Sequence, residues 1–170
     1  ILGHPERLKR LAKDIVTHYE TLCAEKPQIV QKAMIVCADR ALAFRLYKEI
    51  EVLRPEWTIA KKTEDESVLS SDKLDELVAI PKLNLVATRG DDDEKALYDL
   101  CGTKEHRKFL DEQFKNDDSN FKIAIVVDMW ITGFDVPSLT YLYNDKPLKK
   151  HHLKAIRDRG IEIVKFDPIT

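Results

Sequence analysis

Three short segments that contain polar residues each follow an apolar run in this sequence, and chemistry is most expected there. The groups are Asp39–Arg40, Thr88–Arg89 and residues 128–135. A guanidinium fork matches phosphate oxygens, so Arg40 and Arg89 could each hold a phosphate group. From position alone, the interpretation that each is a solvated loop arginine is favoured over a phosphate contact. Asp39 directly precedes a helical pattern, which favours a helix cap over a catalytic group.

The third group contains a Thr-Gly-Phe-Asp element. Gly133 permits backbone conformations that other residues avoid, and Asp135 presents a carboxylate shortly after a buried apolar run. An ordinary turn with a capping aspartate explains the same residues equally well. Thr132, Gly133 and Asp135 are therefore candidates for a ligand site, with the turn as the alternative.

Several common catalytic motifs are absent from the sequence. No G-x-x-x-x-G-K-[ST], G-x-G-x-x-G or G-x-S-x-G element occurs. We therefore predict no phosphate cradle of the chain's own, and we assign no catalytic residue. Cys23, Cys37 and Cys101 have neither zinc spacing nor a close pairing, which is typical of a cytoplasmic protein. His151 and His152 are expected to point to different faces of a helix, so we predict no metal site there.

Composition limits the class of protein. A chain of 170 residues with 44% hydrophobic content can bury the core of one domain. The net charge of -2 excludes a wholly basic nucleic-acid-binding domain, so such contacts must come from a local patch. The most basic window is 146–159, although charge runs are usually solvated faces. No apolar run is long enough to span a bilayer. The start at Ile1, without methionine or signal peptide, indicates a piece of a larger protein.

Hydrophobic periodicity predicts the elements that position the polar groups. Apolar steps of three and four predict helices over 5–27, 42–53, 104–115 and 148–156, with a short helix starting in the acidic run 91–94. Apolar runs predict strands over 33–38, 85–88, 121–127, 139–143 and 161–166. Residues 56–83 are charged and lack a strong period, so we expect an irregular, exposed excursion.

The alternation of strands and helices predicts an α/β fold. At this spacing we expect a three-layer sandwich, with a mostly parallel sheet and helices on both faces. Ligands of an open parallel sheet bind at the carboxyl ends of its strands. The three polar groups all follow predicted strands, so the fold would bring them to one edge.

The stretch from Ile123 to Pro147 closely resembles helicase motif V and its continuation in the R subunits of type I restriction enzymes. Its most specific elements are Thr-Gly-Phe-Asp-x-Pro at 132–137 and Asp-Lys-Pro at 145–147. Two further segments agree: residues 32–57 look like the motif IV region of that family, and residues 88–114 look like the middle of the same domain. Together these segments cover most of residues 1–153.

The resemblance implies the second RecA-like lobe of a superfamily 2 motor over residues 1–170. This is a P-loop NTPase fold without its own P-loop, with a leading helix at 1–27 and an uncertain continuation at 154–170. In such motors ATP and Mg²⁺ bind between two lobes and are held mainly by the first lobe, which this chain lacks.

The resemblance also assigns roles to the candidate residues. If these residues have the roles of motif V in that family, Thr132, Gly133 and Asp135 would lie at the nucleotide cleft. The two turns Asp39–Arg40 and Thr88–Arg89 would face the DNA backbone.

The implied whole protein is an ATP-dependent type I site-specific deoxyribonuclease that translocates double-stranded DNA before cleaving it. Its partners would be DNA, the modification and specificity subunits, and the first RecA-like lobe of the same chain. We expect it in the cytoplasm, with no membrane contact. The chain by itself is expected to be inactive and to bind no cofactor.

Two positions depart from the pattern of such motors. Val127 stands where many superfamily 2 motors carry a threonine that contacts nucleic acid. Motif VI, Q-x-x-x-R-x-x-R, is replaced by residues 152–160, which lack the glutamine and have arginines two apart. Either the protein diverges there, or residues are missing. Arg157 is therefore not assigned as the arginine that reaches the γ-phosphate.

Two other functions stay open. One is the C-terminal RecA-like lobe of another superfamily 2 DNA or RNA helicase. The Thr-Gly-Phe-Asp-x-Pro and Asp-Lys-Pro elements argue against it. The other is a non-enzymatic, flavodoxin-like α/β binding module. The absence of a phosphate loop after the first strand speaks against a bound flavin.

Overall fold

Five parallel strands form one sheet in the computed structural model, which describes residues 3–127 and 136–165. The strands are β1 (Lys32–Val36), β2 (Leu83–Val86), β3 (Ile123–Val126), β4 (Leu139–Asn144) and β5 (Glu162–Lys165). Their order across the sheet is β2-β3-β1-β4-β5, and every recorded pairing is parallel. A flavodoxin-like sheet has the order 2-1-3-4-5. The insertion of β3 between β2 and β1 therefore rules out the flavodoxin-like alternative.

Six α-helices accompany this sheet in the described part of the chain. They are α1 (Pro5–Glu25), α2 (Arg40–Leu53), α3 (Ser71–Glu76), α4 (Lys95–Cys101), α5 (Lys104–Lys115) and α6 (Lys150–Asp158). Proline at the first position of α1 suits a helix start, because the N–H that it lacks would have no partner there. Asp39 caps α2 as predicted: its Oδ1 accepts the N–H of Leu42 at 2.8 Å.

Alternate side chains of the strands divide into two buried clusters. In β1, Ala33 and Ile35 join one cluster, whereas Met34 and Val36 join the other. The first cluster is covered by α1, α2 and α4, and the second by α5 and α6. A sheet covered on both faces carries near-continuous apolar strands, because both sides of each strand are buried. The predicted three-layer sandwich is therefore confirmed.

The segment between α2 and β2 is less exposed than its charge pattern predicts. It contains two 3₁₀ turns (Pro55–Thr58 and Glu66–Val68), α3, and an antiparallel bridge between Lys61 and Ile80. Trp57 and Ile80 are buried although the segment as a whole is rich in charged residues. β2 also begins two residues earlier than predicted, because Leu83 pairs with Ile123 of β3.

A short helix starts at the end of the acidic run, as predicted, and the run also makes a contact that was not predicted. α4 begins at Lys95, and Glu94 at its N-cap makes no side-chain capping bond. The carboxylate of Asp93 instead accepts the N–H of Gly90 at 2.7 Å. After α4 the chain turns into α5 through Gly102, whose φ of 68° lies in the region that favours glycine.

The last two elements of the described chain are α6, which is one continuous helix, and β5, which completes the sheet. β5 pairs with β4, with Leu142 opposite Ile163. His151 and His152 do not diverge as predicted: their ring centroids lie 4.1 Å apart in an edge-to-face contact. Neighbouring positions on a helix point about 100° apart, and the two imidazole rings turn towards each other and so come into contact. No helix in the described ranges is long and apolar enough to cross a membrane.

Candidate nucleic-acid interface

The fold brings the first two predicted groups together at the carboxyl edge of the sheet. They lie in two turns, residues 37–40 after β1 and 88–90 after β2, here called the arginine turns. β3 lies between these two strands, and Val36, Val126 and Val86 are level in the register. The guanidinium of Arg40 nevertheless reaches the second turn, where Nη1 donates to the carbonyl oxygen of Thr88 at 2.8 Å. The two turns are thus physically linked across the end of β3.

A two-pronged ion pair holds Arg40 in this position. Its Nη1 and Nη2 donate to the two carboxylate oxygens of Asp93, each at 2.5 Å. The Arg40 side chain remains 31% exposed, whereas that of Asp93 is 5% exposed. The adjacent guanidinium lowers the pKa of Asp93, so the carboxylate stays charged. Arg40 is therefore oriented by the protein and still reachable from solvent.

Arg89 is oriented by α4 rather than by a carboxylate. Its Nε donates to the carbonyl oxygen of Tyr98 at 2.9 Å, and its guanidinium lies 4.0 Å from the centre of the Tyr98 ring. Stacking on an aromatic face leaves the outer edge of a guanidinium available to an anion. Within the described ranges, no hydrogen bond from the terminal amino groups of Arg89 is recorded. Thr88 is exposed beside it.

Asp39 has a local structural contact. Its carboxylate is committed to the α2 cap, which agrees with the simpler of the two interpretations made from the sequence. The cap also orients the first turn of α2, from which Arg40 projects. Among the residues of the arginine turns, Arg40 and Arg89 are therefore the ones whose chemistry fits a phosphate.

A buried ion pair at the same edge was not predicted from the sequence. Both terminal nitrogens of Arg7 in α1 contact the carboxylate of Asp145, directly after β4, and both side chains are 4% exposed. The N–H of Asp145 also donates to the carbonyl oxygen of Val36 at 2.9 Å. Asp145 belongs to the Asp-Lys-Pro element noted above, but nothing in the sequence pairs it with Arg7. The one sequence feature that points to this pair is Arg7 itself, a cation that lies among the apolar residues of the α1 stripe.

The motif V candidates fall outside the part of the chain that the structure describes. These are Thr132, Gly133 and Asp135. The described neighbours on either side, Val127 and Val136, are both buried.

Two other features of the described residues bear on where a ligand could lie. Within 3–127 and 136–165, no group of three or more histidine, cysteine, aspartate or glutamate side chains could hold a metal ion. A cleft of about 390 Å³ does exist, but Lys82 and Asn120 in its wall precede β2 and β3. It therefore opens near the amino edge of the sheet, away from the arginine turns.

Sequence relatives of the chain come from one enzyme family. The family described as type I restriction enzyme subunit R domain 3 matches residues 13–157. The type I restriction enzyme HindI endonuclease subunit of Haemophilus influenzae is 34% identical over 154 residues, which is 90% of this chain and 13% of that protein. The putative type I restriction enzyme MjaIXP endonuclease subunit of Methanocaldococcus jannaschii is 31% identical over 162 residues, 95% of this chain and 13% of that protein. The chain thus spans 13% of the length of these relatives.

The fold also has a likeness among solved structures. The crystal structure of T4 UvsW superposes with a TM-score of 0.52 at 14% identity, over 96% of this chain and 26% of that chain. At this identity the likeness concerns the fold alone, and the fold is the RecA-like α/β domain.

Proposed function

The chain belongs to the R subunits of type I restriction enzymes, as their domain 3, and we propose that it serves as the second RecA-like lobe of a motor that translocates double-stranded DNA. The relatives are endonuclease subunits, so the family is one of enzymes. In this proposal the motor lobe moves DNA in the cytoplasm before cleavage. DNA and the modification and specificity subunits are its partners.

The observation that carries the proposal is the pair of linked arginine turns. Arg40 is clamped by Asp93 and crosses the end of β3, and Arg89 is stacked on Tyr98. Holding a guanidinium in place reduces the side-chain entropy that is lost when it grips a phosphate. Contacts to phosphates carry no sequence information directly. A translocase needs this kind of contact, because it must move along any sequence.

The lack of a phosphate loop supports a division of labour between two lobes. We propose that ATP and Mg²⁺ are held mainly by the first RecA-like lobe of the longer protein. Thr132, Gly133 and Asp135 of this chain would complete the nucleotide cleft. The chain by itself would then neither hydrolyse ATP nor cleave DNA.

The nucleotide-cleft assignment is tested in the full-length R subunit. Asp135→Ala should lower the ATPase activity that accompanies translocation, while Asp99→Ala on the exposed surface of α4 leaves it unchanged. An unchanged rate in the Asp135 variant would refute the assignment. A DNA-stimulated ATPase activity in the purified 170-residue chain would refute the division of labour.

The DNA-facing assignment is tested separately by replacing Arg89 with glutamine. The exposed control is Lys95→Gln, which removes the same charge close by on α4. The Arg89 variant should bind a labelled duplex several-fold more weakly than the control, because a phosphate contact is lost. Equal affinities would remove Arg89 from the interface.

A further inference from the structure

Four exposed cations form a basic ridge along α6. They are Lys149, Lys150, Lys154 and Arg157. Lys150, Lys154 and Arg157 are spaced i, i+4 and i+7, so they lie on one face of the helix. A different face carries Ile156, which is buried in the second core cluster. The ridge therefore faces solvent on a helix that is anchored to the sheet.

The ridge concentrates positive charge in a chain that is otherwise acidic. Residues 146–159 contain six lysines and arginines and one aspartate, whereas the rest of the chain contains 22 lysines and arginines against 29 acidic residues. Local charge of one sign attracts an oppositely charged partner even when the net charge of the protein is close to zero. The field of this chain thus favours anions at α6.

Ion pairs hold some of the other cations in the described part of the chain, and the ridge cations lack them. Elsewhere, ion pairs hold Arg40, Arg54, Lys82, Lys95 and Lys115. No ion pair from the four ridge residues is recorded among residues 3–127 and 136–165. Two positive charges four residues apart on a helix cost a few tenths of a kcal/mol. The ridge therefore carries an electrostatic cost within the folded domain.

The start of α6 adds to this cost. Lys149 occupies the N-cap and Lys150 the first helical position, and the first turn contains no acidic residue and no side-chain cap. The amino end of a helix is its positive end, so cations there are unfavourable and a bound anion relieves the repulsion.

We propose that the basic ridge binds the phosphate backbone of duplex DNA, as a second contact beside the arginine turns. The choice of duplex DNA as the ligand rests on the proposed function. α6 follows β4, so its amino end lies on the carboxyl-edge side of the sheet, as the arginine turns do. From Lys150 to Arg157 the helix rises about 10 Å, which is comparable to about three phosphate steps along one strand. Lysine ammonium groups are flexible point charges, which suits contacts that do not depend on sequence.

The experiment measures binding of a fluorescein-labelled duplex to the 170-residue chain by anisotropy over a series of salt concentrations. The ridge variant is Lys150→Gln, Lys154→Gln and Arg157→Gln combined. The matched control is Lys9→Gln, Arg10→Gln and Lys13→Gln on the exposed face of α1, which removes the same charge. Circular dichroism melting of each protein checks that the fold is retained.

We expect the ridge variant to bind at least about tenfold more weakly than the wild type at low salt. The slope of log affinity against log salt should become shallower by about 2.7, the value for three lost phosphate contacts. The control should stay within about twofold of the wild type, because its cations lie away from the ridge.

Several results would overturn the proposal. One is equal affinity and equal salt slope for the wild type and the ridge variant, and another is an equal loss in the α1 control. Absence of duplex binding by the wild type at low salt would also overturn it. So would unchanged duplex binding by the ridge variant together with lost binding to phosphatidylserine–phosphatidylcholine vesicles, which would assign the ridge to a membrane surface.

The Arg89→Gln variant separates this proposal from the proposed function. If the Arg89 variant and the ridge variant each bind the duplex more weakly than the wild type, both surfaces are supported. Loss in the Arg89 variant alone refutes the ridge and leaves the arginine turns in place. Loss in the ridge variant alone keeps the ridge and removes Arg89 from the interface.

Discussion

Arg7 and Asp145 form a buried ion pair that joins the first helix to the end of the fourth strand, although 138 positions separate them in the chain. The N–H of Asp145 is also bonded to β1. The leading helix is therefore tied into the same sheet edge that carries the arginine turns. A shift of α1 would disturb the end of β4, from which the chain continues towards the basic ridge.

The first prediction concerns this pair. Asp145→Asn should lower the free energy of unfolding by about 3–5 kcal/mol, because the buried guanidinium of Arg7 loses a compensating charge. Urea denaturation of the 170-residue chain measures the change. The control is Asp99→Asn, which breaks an exposed pair with Lys95 and should cost about 1 kcal/mol or less. Similar costs for the two variants would mean that Arg7 does not depend on Asp145.

The second prediction concerns the clamp on Arg40. The guanidinium holds the pKa of Asp93 below its usual value, so Arg40→Gln should raise that pKa towards the value of an ordinary aspartate. Carboxyl-carbon NMR titration would measure it. A lowered carboxyl pKa stabilises the fold above the unfolded pKa, and this contribution disappears as the pH falls through the folded pKa. The stability difference between wild type and Arg40→Gln should therefore be present at neutral pH and shrink in acid. An Asp93 pKa unchanged by the substitution would show that Arg40 is not its cause.

Much of the fold was predictable because it follows from local patterns. The helix predicted over 104–115 matches α5, which buries Leu110 and Phe114. The apolar run around Ile123 became a strand covered on both faces. Such patterns record which side of an element meets the core, and a sheet with two covered faces leaves strong patterns.

The partners of charged residues were not predictable in the same way. Asp93 lies in an acidic run that suggested a helix start, yet it binds Arg40 across a distance of 53 positions. Contacts of this kind depend on which strands become neighbours, and here the insertion of β3 between β1 and β2 decided the outcome. The sequence therefore located the arginine turns without indicating what orients their side chains.

The third prediction concerns Lys32, whose side chain is fully buried at the start of β1. Its Nζ donates to the carbonyl oxygens of Phe114 and Asn116, and it lies 3.6 Å from a carboxylate oxygen of Asp117. Burial, followed by the charge of nearby Lys122, lowers the pKa of Lys32 to about 8. At pH values between this pKa and the ordinary lysine pKa of 10.5, the folded chain releases a proton that the unfolded chain retains. The contribution of Lys32 to stability should therefore rise with pH across this window.

Replacement by methionine isolates that contribution. The free energy of unfolding of the wild type, relative to Lys32→Met, should increase from neutral pH towards pH 10.5. Urea denaturation at several pH values measures the difference, with Lys95→Met as an exposed control for the loss of one lysine. A difference between wild type and Lys32→Met that stays constant or falls over this range would contradict the assignment.

The fourth prediction concerns Trp57, which anchors the segment between α2 and β2. The residue is 5% exposed, and its ring makes an edge-to-face contact with Tyr19 and lies 5.1 Å from the ammonium group of Lys82. Trp57→Ala should lower the free energy of unfolding by about 3–5 kcal/mol, since a large buried side chain leaves a cavity. Val68→Ala is the control from the same segment, and its 76% exposed side chain should cost about 0.5 kcal/mol or less. Equal, small effects in urea denaturation would mean that the segment is not packed on the core through Trp57.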